Sequence, residues 1–312
     1  LVAGFGDDGY ADWCRRVLAD QEGVDLSLSR TFEHWHTPVT VSMAYDGDRA
    51  MVTHGHPAPL TSAQLIGTPP STRAVVVELE DEPWWLPAHA AAQPSSCDFR
   101  EARVTERACA GPCWSAVNVH DDENTAVEAA LAALANLVPM AVVTSGARGA
   151  RAIDGSTGEH AWVPSVPAIA IDPTGAGDVF GASLVVGTLA GWPLEHRLQF
   201  SALCASLAVR QFGGALAAPG WGDLADWWTT VTTRAAAGDP AAHDLREAYG
   251  FLPELLPAEP AKALRRAEAT IARLSDLPPA IPRATKRRRT NPRPTNPRPV
   301  QPDVNHEVLE DE

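Results

Sequence analysis

Three short apolar-rich runs punctuate the chain: Ala74 to Leu79, Trp114 to Val119 and Met140 to Thr144. The first and third read as buried strands, because little in them is polar enough to face water, and the second has strand character. Helical segments lie between and after them. Asn124 to Leu137 is an alanine-rich helix, and further helices are expected at about 178–190 and 194–211. Strands that alternate with helices join side by side through crossovers, which gives a mostly parallel sheet wrapped by helices. The alternation therefore sets the class as α/β.

The rest of the chain fits around that sheet. The first thirty residues read strand, Gly-Asp turn, helix, strand, with Tyr10, Trp13, Cys14, Val17 and Leu18 at helical spacing. Thr37 to Tyr45 and Arg49 to His54 flank Asp46-Gly47, a hairpin signal. Thr61-x-x-Gln64 forms a capping box opening a short helix. Gln93 to Pro112 mixes Cys, Arg, Glu and Ser without a period and reads as a loop. Arg151 to Ile153 and His160 to Val163 flank a Gly/Ser/Thr turn and predict a second hairpin. From Pro278 the chain is rich in Pro, Arg, Thr and Asn, with almost nothing apolar to bury, and is expected to be disordered. The organisation is then a domain over 1–275, with a β-lid at about 31–54, and a tail over 276–312.

Composition excludes several classes. With 312 residues, 45% hydrophobic, the chain can build its core without disulfide or metal staples. Val179 to Trp192 is too short and glycine-rich to span a bilayer, so no membrane partner is expected. The five cysteines are scattered and odd in number, as in reduced cytoplasmic proteins. Net charge is −14 although Arg283 to Arg298 alone carries seven Lys/Arg and no acid, so the body is more acidic still. An acidic body disfavours nucleic acid, and Lys286 to Arg289 reads as a solvated basic patch. His34-x-His36, His54-x-His56 and Cys109-x-x-x-Cys113 lack the partners of a tetrahedral set and are not read as metal sites. Trp84-Trp85 and Trp227-Trp228 read as packing or interface residues; a homodimer is compatible with them.

The most specific stretch is Asp172-Pro173-Thr174-Gly175-Ala176-Gly177-Asp178-Val179-Phe180. Small residues at 175–177 let several N–H groups converge, and a helix starting near Asp178 adds its positive end. Such a spot stabilises a phosphoryl group in transit, and a neighbouring carboxylate can take a proton from an attacking hydroxyl. The plainer alternative is a strand-to-helix turn with Asp178 as its cap.

The nonapeptide resembles the C-terminal signature of the ribokinase-like (PfkB) carbohydrate kinases, Asp-[Thr/Pro]-Thr-Gly-Ala-Gly-Asp-x-Phe. The resemblance implies a three-layer α/β/α fold with a small β-lid. It implies Asp178 as catalytic base and Gly175, Ala176 and Gly177 as the anion hole, with Asp172 and Thr174 near a monovalent cation such as K⁺. Val142 to Ala150 resembles the family's Thr-x-Gly-x-x-Gly segment, which implies ATP contacts at Thr144, Gly146 and Gly149. Asn118-Val119-His120-Asp121 resembles its Asn-x-x-Glu, which implies Asn118 near the triphosphate and Asp121 toward Mg²⁺; taken on its own it is equally an Asx-type helix start. Gly213 and Gly214 resemble the loop closing the adenine pocket, and Gly6-Asp7-Asp8 its Gly-Asp-Asp turn.

Two departures follow from the same likeness. Ala202 stands where many members place Asn or His near adenine, and the family's first strand and di-glycine acceptor segment have no counterpart, as in an N-terminally truncated member. The expected activity is ATP-dependent phosphorylation of a hydroxymethyl group on a sugar or related small molecule. The alternatives are a nucleoside kinase and a catalytically inactive, kinase-derived binding protein. The Asp178 carboxyl is expected to face a nucleotide-sized hollow.

Overall fold

The computed structural model describes residues 1–45, 48–67, 73–78, 95–98, 113–118, 127–129, 131–132, 140–155 and 157–257. The chain separates into two compact units, Leu1–Leu274 and Ser275–Glu312. The expected tail, the basic patch, Trp84-Trp85, Cys109 and Asp121 all lie outside the described residues.

Ten strands and seven labelled helices build the described part. A two-residue strand β1 (Gly4–Phe5) pairs in parallel with β2 (Arg30–Thr31), with helix α1 (Gly9–Arg15) between them running on into a π-helical turn at Arg16–Gln21. Strands β3 (Val39–Tyr45) and β4 (Asp48–His54) form an antiparallel hairpin with Val41 opposite Val52 and Ser42 opposite Met51. Asp46-Gly47, the expected turn, is outside the described residues. Helix α2 (Ser62–Ile66) opens on the predicted capping box: Thr61 N–H donates to Gln64 Oε1 at 3.0 Å, and Gln64 N–H to Thr61 Oγ1 at 3.3 Å.

The main sheet has six strands in the order β10-β9-β8-β7-β6-β5. Strands β5 (Val75–Glu78), β6 (Ser95–Asp98), β7 (Cys113–Asn118) and β8 (Met140–Thr144) run parallel. Strands β9 (Ala150–Asp154) and β10 (Glu159–Val163) are the predicted second hairpin and continue the sheet antiparallel. Ala141, Val142 and Val143 of β8 are fully buried, as a strand covered on both faces requires.

The loop reading of Gln93 to Pro112 fails at Ser95–Asp98, which is an interior strand bonded to β5 on one side and β7 on the other. Ser-Ser-Cys-Asp has no apolar pattern of its own; two parallel neighbours supply its hydrogen bonds, and pairing overrides the weak local preference. Within Asn124–Leu137, residues 127–129 and 131–132 are helical, with Val127 and Leu131 buried.

Two long helices follow the sheet. Helix α3 (Ala176–Leu189) begins two residues before the expected start, and α4 (Leu194–Ala208) ends three residues early. Phe180, Leu184, Leu194, Leu198 and Ala202 pack on Met140, Val142, Ala150, Ala152 and Val163 of the sheet. The opposite side of α4 is covered too. Leu203 and Leu207 sit with Leu224 of α5 (Trp221–Ala236), with Tyr249 just beyond α6 (Pro240–Ala248), and with Leu252 of α7 (Leu252–Leu255). The Tyr249 hydroxyl donates to Gln199 O at 3.2 Å. Trp227 meets the Tyr249 ring edge-on at 5.1 Å, so the second Trp pair does serve packing.

Candidate active site

Asp172 to Asp178 is held at both ends. The amides of Ile171 and Asp172 both donate to Val209 O, at 2.7 and 3.2 Å, which ties the loop to the end of α4. The Asp172 carboxylate, buried, accepts the Thr174 amide at 3.0 Å and tightens the turn. Gly175 is the N-cap of α3 at φ 79°, a left-handed geometry that glycine adopts without strain. Ala176 N–H reaches Pro173 O at 3.3 Å and Val179 N–H reaches Gly175 O at 2.9 Å, while the Gly177 amide has no backbone acceptor among the described residues.

The capping alternative is thus answered: Gly175 caps the helix, without a side-chain bond, and Asp178 stands in its first turn. Gly175, Ala176 and Gly177 do stand at the origin of α3, immediately ahead of Asp178. Asp178 and Gly177 are exposed, however, and the carboxyl is not enclosed by a hollow among the described residues.

The second predicted element folds on itself. Ser145 N–H donates to Gly149 O at 2.8 Å, and Gly149 N–H to Gly146 O at 3.1 Å. Gly149 (φ 92°) passes so close to the next strand that an added Cβ would lie 2.0 Å from Val163 O, whereas one on Gly146 (φ 54°) would meet open space. Gly149 is therefore demanded by the fold, whatever else it contacts. Sheet register sets Asn118 opposite Thr144, and Thr144 opposite Ala150. Asn118 and Thr144 thereby end adjacent parallel strands at the C-terminal edge of the sheet, the edge where open α/β sheets bind ligands. A shallow, open depression lies here, lined by Ser145, Arg148, Gly149 and Trp162 among others. Arg151 on its rim pairs with Glu128.

The third element, Gly213 to Pro219, turns through Gly213 (φ 132°) and Gly214 (φ 55°) into a short 3₁₀ helix at Gly214–Ala217. A Cβ on Gly214 would sit 3.7 Å from Thr174 Cγ2, so this turn lies against the nonapeptide. Ala202 is buried against the sheet, in the core rather than in a cleft.

The hairpin meets the same loop. Ser42 Oγ lies 3.0 Å from Thr174 Oγ1. Sequence reasoning missed Ser42: a serine on a hairpin strand carries no motif, and only the fold brings it to a residue 132 positions along the chain. At the hairpin's base, Asp8 Oδ1 accepts Ala11 N–H at 2.9 Å and Oδ2 accepts Thr37 N–H at 2.7 Å. Asp7 accepts the amide of His34, a residue at φ 58°. The Ala11 amide, and after it that of Thr37, hold the Asp8 carboxyl below its ordinary range despite opposing desolvation. His36 Nδ1 lies 3.6 Å from Asp8, and the rings of His54 and His56 meet edge-on.

Among the described residues no three His, Cys, Asp or Glu side chains gather as a protein-only metal site would require. Asp172 already spends one carboxylate oxygen on Thr174, so a cation there would share an occupied ligand. Cys204 is a buried free thiol pushed up to about 12 by desolvation, too high to act as a nucleophile. Among the described residues no helix is long and apolar enough to cross a membrane.

Residues 108–220 match the model of the pfkB family carbohydrate kinase. A 71-residue stretch is 39% identical to ribokinase of Bacillus subtilis (strain 168), covering 23% of this chain and 24% of that protein, so the match spans about a quarter of the relative's length. Among solved structures, ribokinase of Arabidopsis thaliana complexed with ribose and ATP is similar over 70% of this chain and 78% of that one, at TM-score 0.53 and 20% identity. Adenosine kinase from Sinorhizobium meliloti (68% and 73% covered, TM-score 0.55, 20% identity) and a Burkholderia thailandensis nucleoside kinase in complex with inosine (70% and 75%, TM-score 0.53, 18%) share the architecture. The shared fold is the ribokinase-like α/β fold.

Proposed function

We propose, from the match of residues 108–220 to the pfkB family carbohydrate kinase model and the ribokinase-like fold, that the chain is an ATP-dependent phosphotransferase acting on a hydroxymethyl group of a sugar or nucleoside. The observation that carries the reading is the Asp172–Phe180 loop. Gly175 at φ 79° starts α3 so that its first amides and the Asp178 carboxylate share one helix end. Asp178 takes the proton of the acceptor hydroxyl as its oxygen bonds to the γ-phosphorus, and the bond to the β-phosphate oxygen breaks to release ADP. The amides of the 175–177 turn and the origin of α3 receive the negative charge that spreads over the transferring group. Gly146, Gly149, Gly213 and Gly214 would line the nucleotide side, with Asn118 and Thr144 at the strand ends near the phosphates. Mg²⁺ would supply charge neutralisation between the phosphates, with Asp121 its candidate carboxylate; the Asp172–Thr174 turn is the candidate place for K⁺.

Ribose and nucleoside kinases sit side by side among the structural relatives, which keeps both acceptor classes in view. ATP consumption over a panel of pentoses, hexoses and nucleosides selects between them. Asp178→Asn should lower turnover by about a thousandfold or more while ATP still binds. An Asn variant as active as the parent rejects the assignment. Binding of sugar or nucleoside with no ATP turnover at all would leave the alternative of a kinase-derived binding protein.

A further inference from the structure

Thr174 stands where three segments meet. Its hydroxyl faces Ser42 of β3 at 3.0 Å, its amide is fixed by Asp172 at 3.0 Å, and its methyl lies against Gly214, where an added Cβ would approach to 3.7 Å. The hairpin's other hydrogen bonds among the described residues run within it, as between Thr40 and Thr53 at 2.9 Å, or belong to the segments beside it: Thr37 with Gly6 and Asp8, and Trp35 with His56 and Pro57. Ser42–Thr174 is therefore the hydrogen bond by which the body of the hairpin reaches another element. Both groups are hydroxyls, and either can donate, so the contact can form and break without leaving a buried charge.

We infer that the Ser42–Thr174 pair couples the nucleotide side of the site to the lid. The inference rests on the kinase reading, because it takes the Gly213–Ala217 turn as part of the nucleotide seat. A nucleotide that orders this turn restricts Thr174, and Thr174 then holds Ser42 and the hairpin in place. By linkage, a seated hairpin tightens nucleotide binding by the same factor. Ser42 is on this account a positioning residue: it acts through Thr174. A single hydroxyl pair supports a coupling of about three- to tenfold.

Amide hydrogen exchange with a non-hydrolysable ATP analogue and Mg²⁺ tests this on the full chain. Wild type, Ser42→Ala and Ser42→Thr are compared; Ser42 is exposed, so the alanine variant should fold, and exchange across β8 and α4 without nucleotide verifies it. The analogue should slow exchange at 213–217 in all three proteins. It should also slow exchange at 39–45 and 48–54 in wild type and Ser42→Thr, with about three- to tenfold less protection in Ser42→Ala. Equal hairpin protection in Ser42→Ala, or protection of 213–217 with none in the wild-type hairpin, overturns the coupling and leaves the kinase reading standing. Protection nowhere in wild type overturns both.

Discussion

Gly149 and Gly146 look alike in the sequence, yet the structure asks different things of them. Both have positive φ, but only at Gly149 would a side chain drive into backbone, 2.0 Å from Val163 O. Gly146→Ala should cost about 1 kcal/mol of left-handed strain. Gly149→Ala adds a backbone clash to that strain and should cost at least about 2 kcal/mol. Urea unfolding of the two variants checks the order; equal losses would contradict the close approach. The same pair shows what a motif can and cannot say. By themselves the glycines of Thr144 to Gly149 marked only a turn after a strand; neither they nor the family resemblance showed that one of them is fixed by packing.

At the scale of elements, Asp8 is the joint between helix α1 and the segment leading into the β3–β4 hairpin, since its two oxygens accept the amides of Ala11 and Thr37. Its folded carboxyl titrates below the ordinary value of 3.8, first because of the Ala11 amide. A depressed carboxylate contributes stability above its unfolded pKa and loses it as pH falls through the lower folded one. Melting temperatures of wild type and Asp8→Asn should therefore differ at pH 6 and converge as pH drops through the range below about 4. A gap that persists unchanged at low pH would mean the carboxylate's charge is not what ties the two elements. Both hairpins and the α2 capping box were legible because turn chemistry and alternation are local. Ser95–Asp98 was not: its two strand neighbours, absent from any local window, make it a strand.

Across the whole molecule, α4 is the axis. One side packs on the sheet, and the other is covered by α5, Tyr249 and α7, elements that lie at or beyond the end of the pfkB match at residue 220. Leu252 is fully buried in that second cluster. Leu252→Ala should cost about 2–5 kcal/mol, the range for emptying a core leucine site. If these last helices were an appendage rather than part of the core, its unfolding midpoint would match the parent's.

Strands alternating with helices indicated the α/β class, and the small residues of the nonapeptide marked a tight turn into a helix, because hydrophobic periodicity and short-range turn geometry are written in consecutive residues. Only tertiary structure decided that Gly175 rather than Asp178 caps α3, that Asp178 stands exposed, and that Ser42 and Gly214 both meet Thr174. Those outcomes depend on which distant backbones pass within a few ångströms of each other, and nothing within a local stretch of chain encodes that distance.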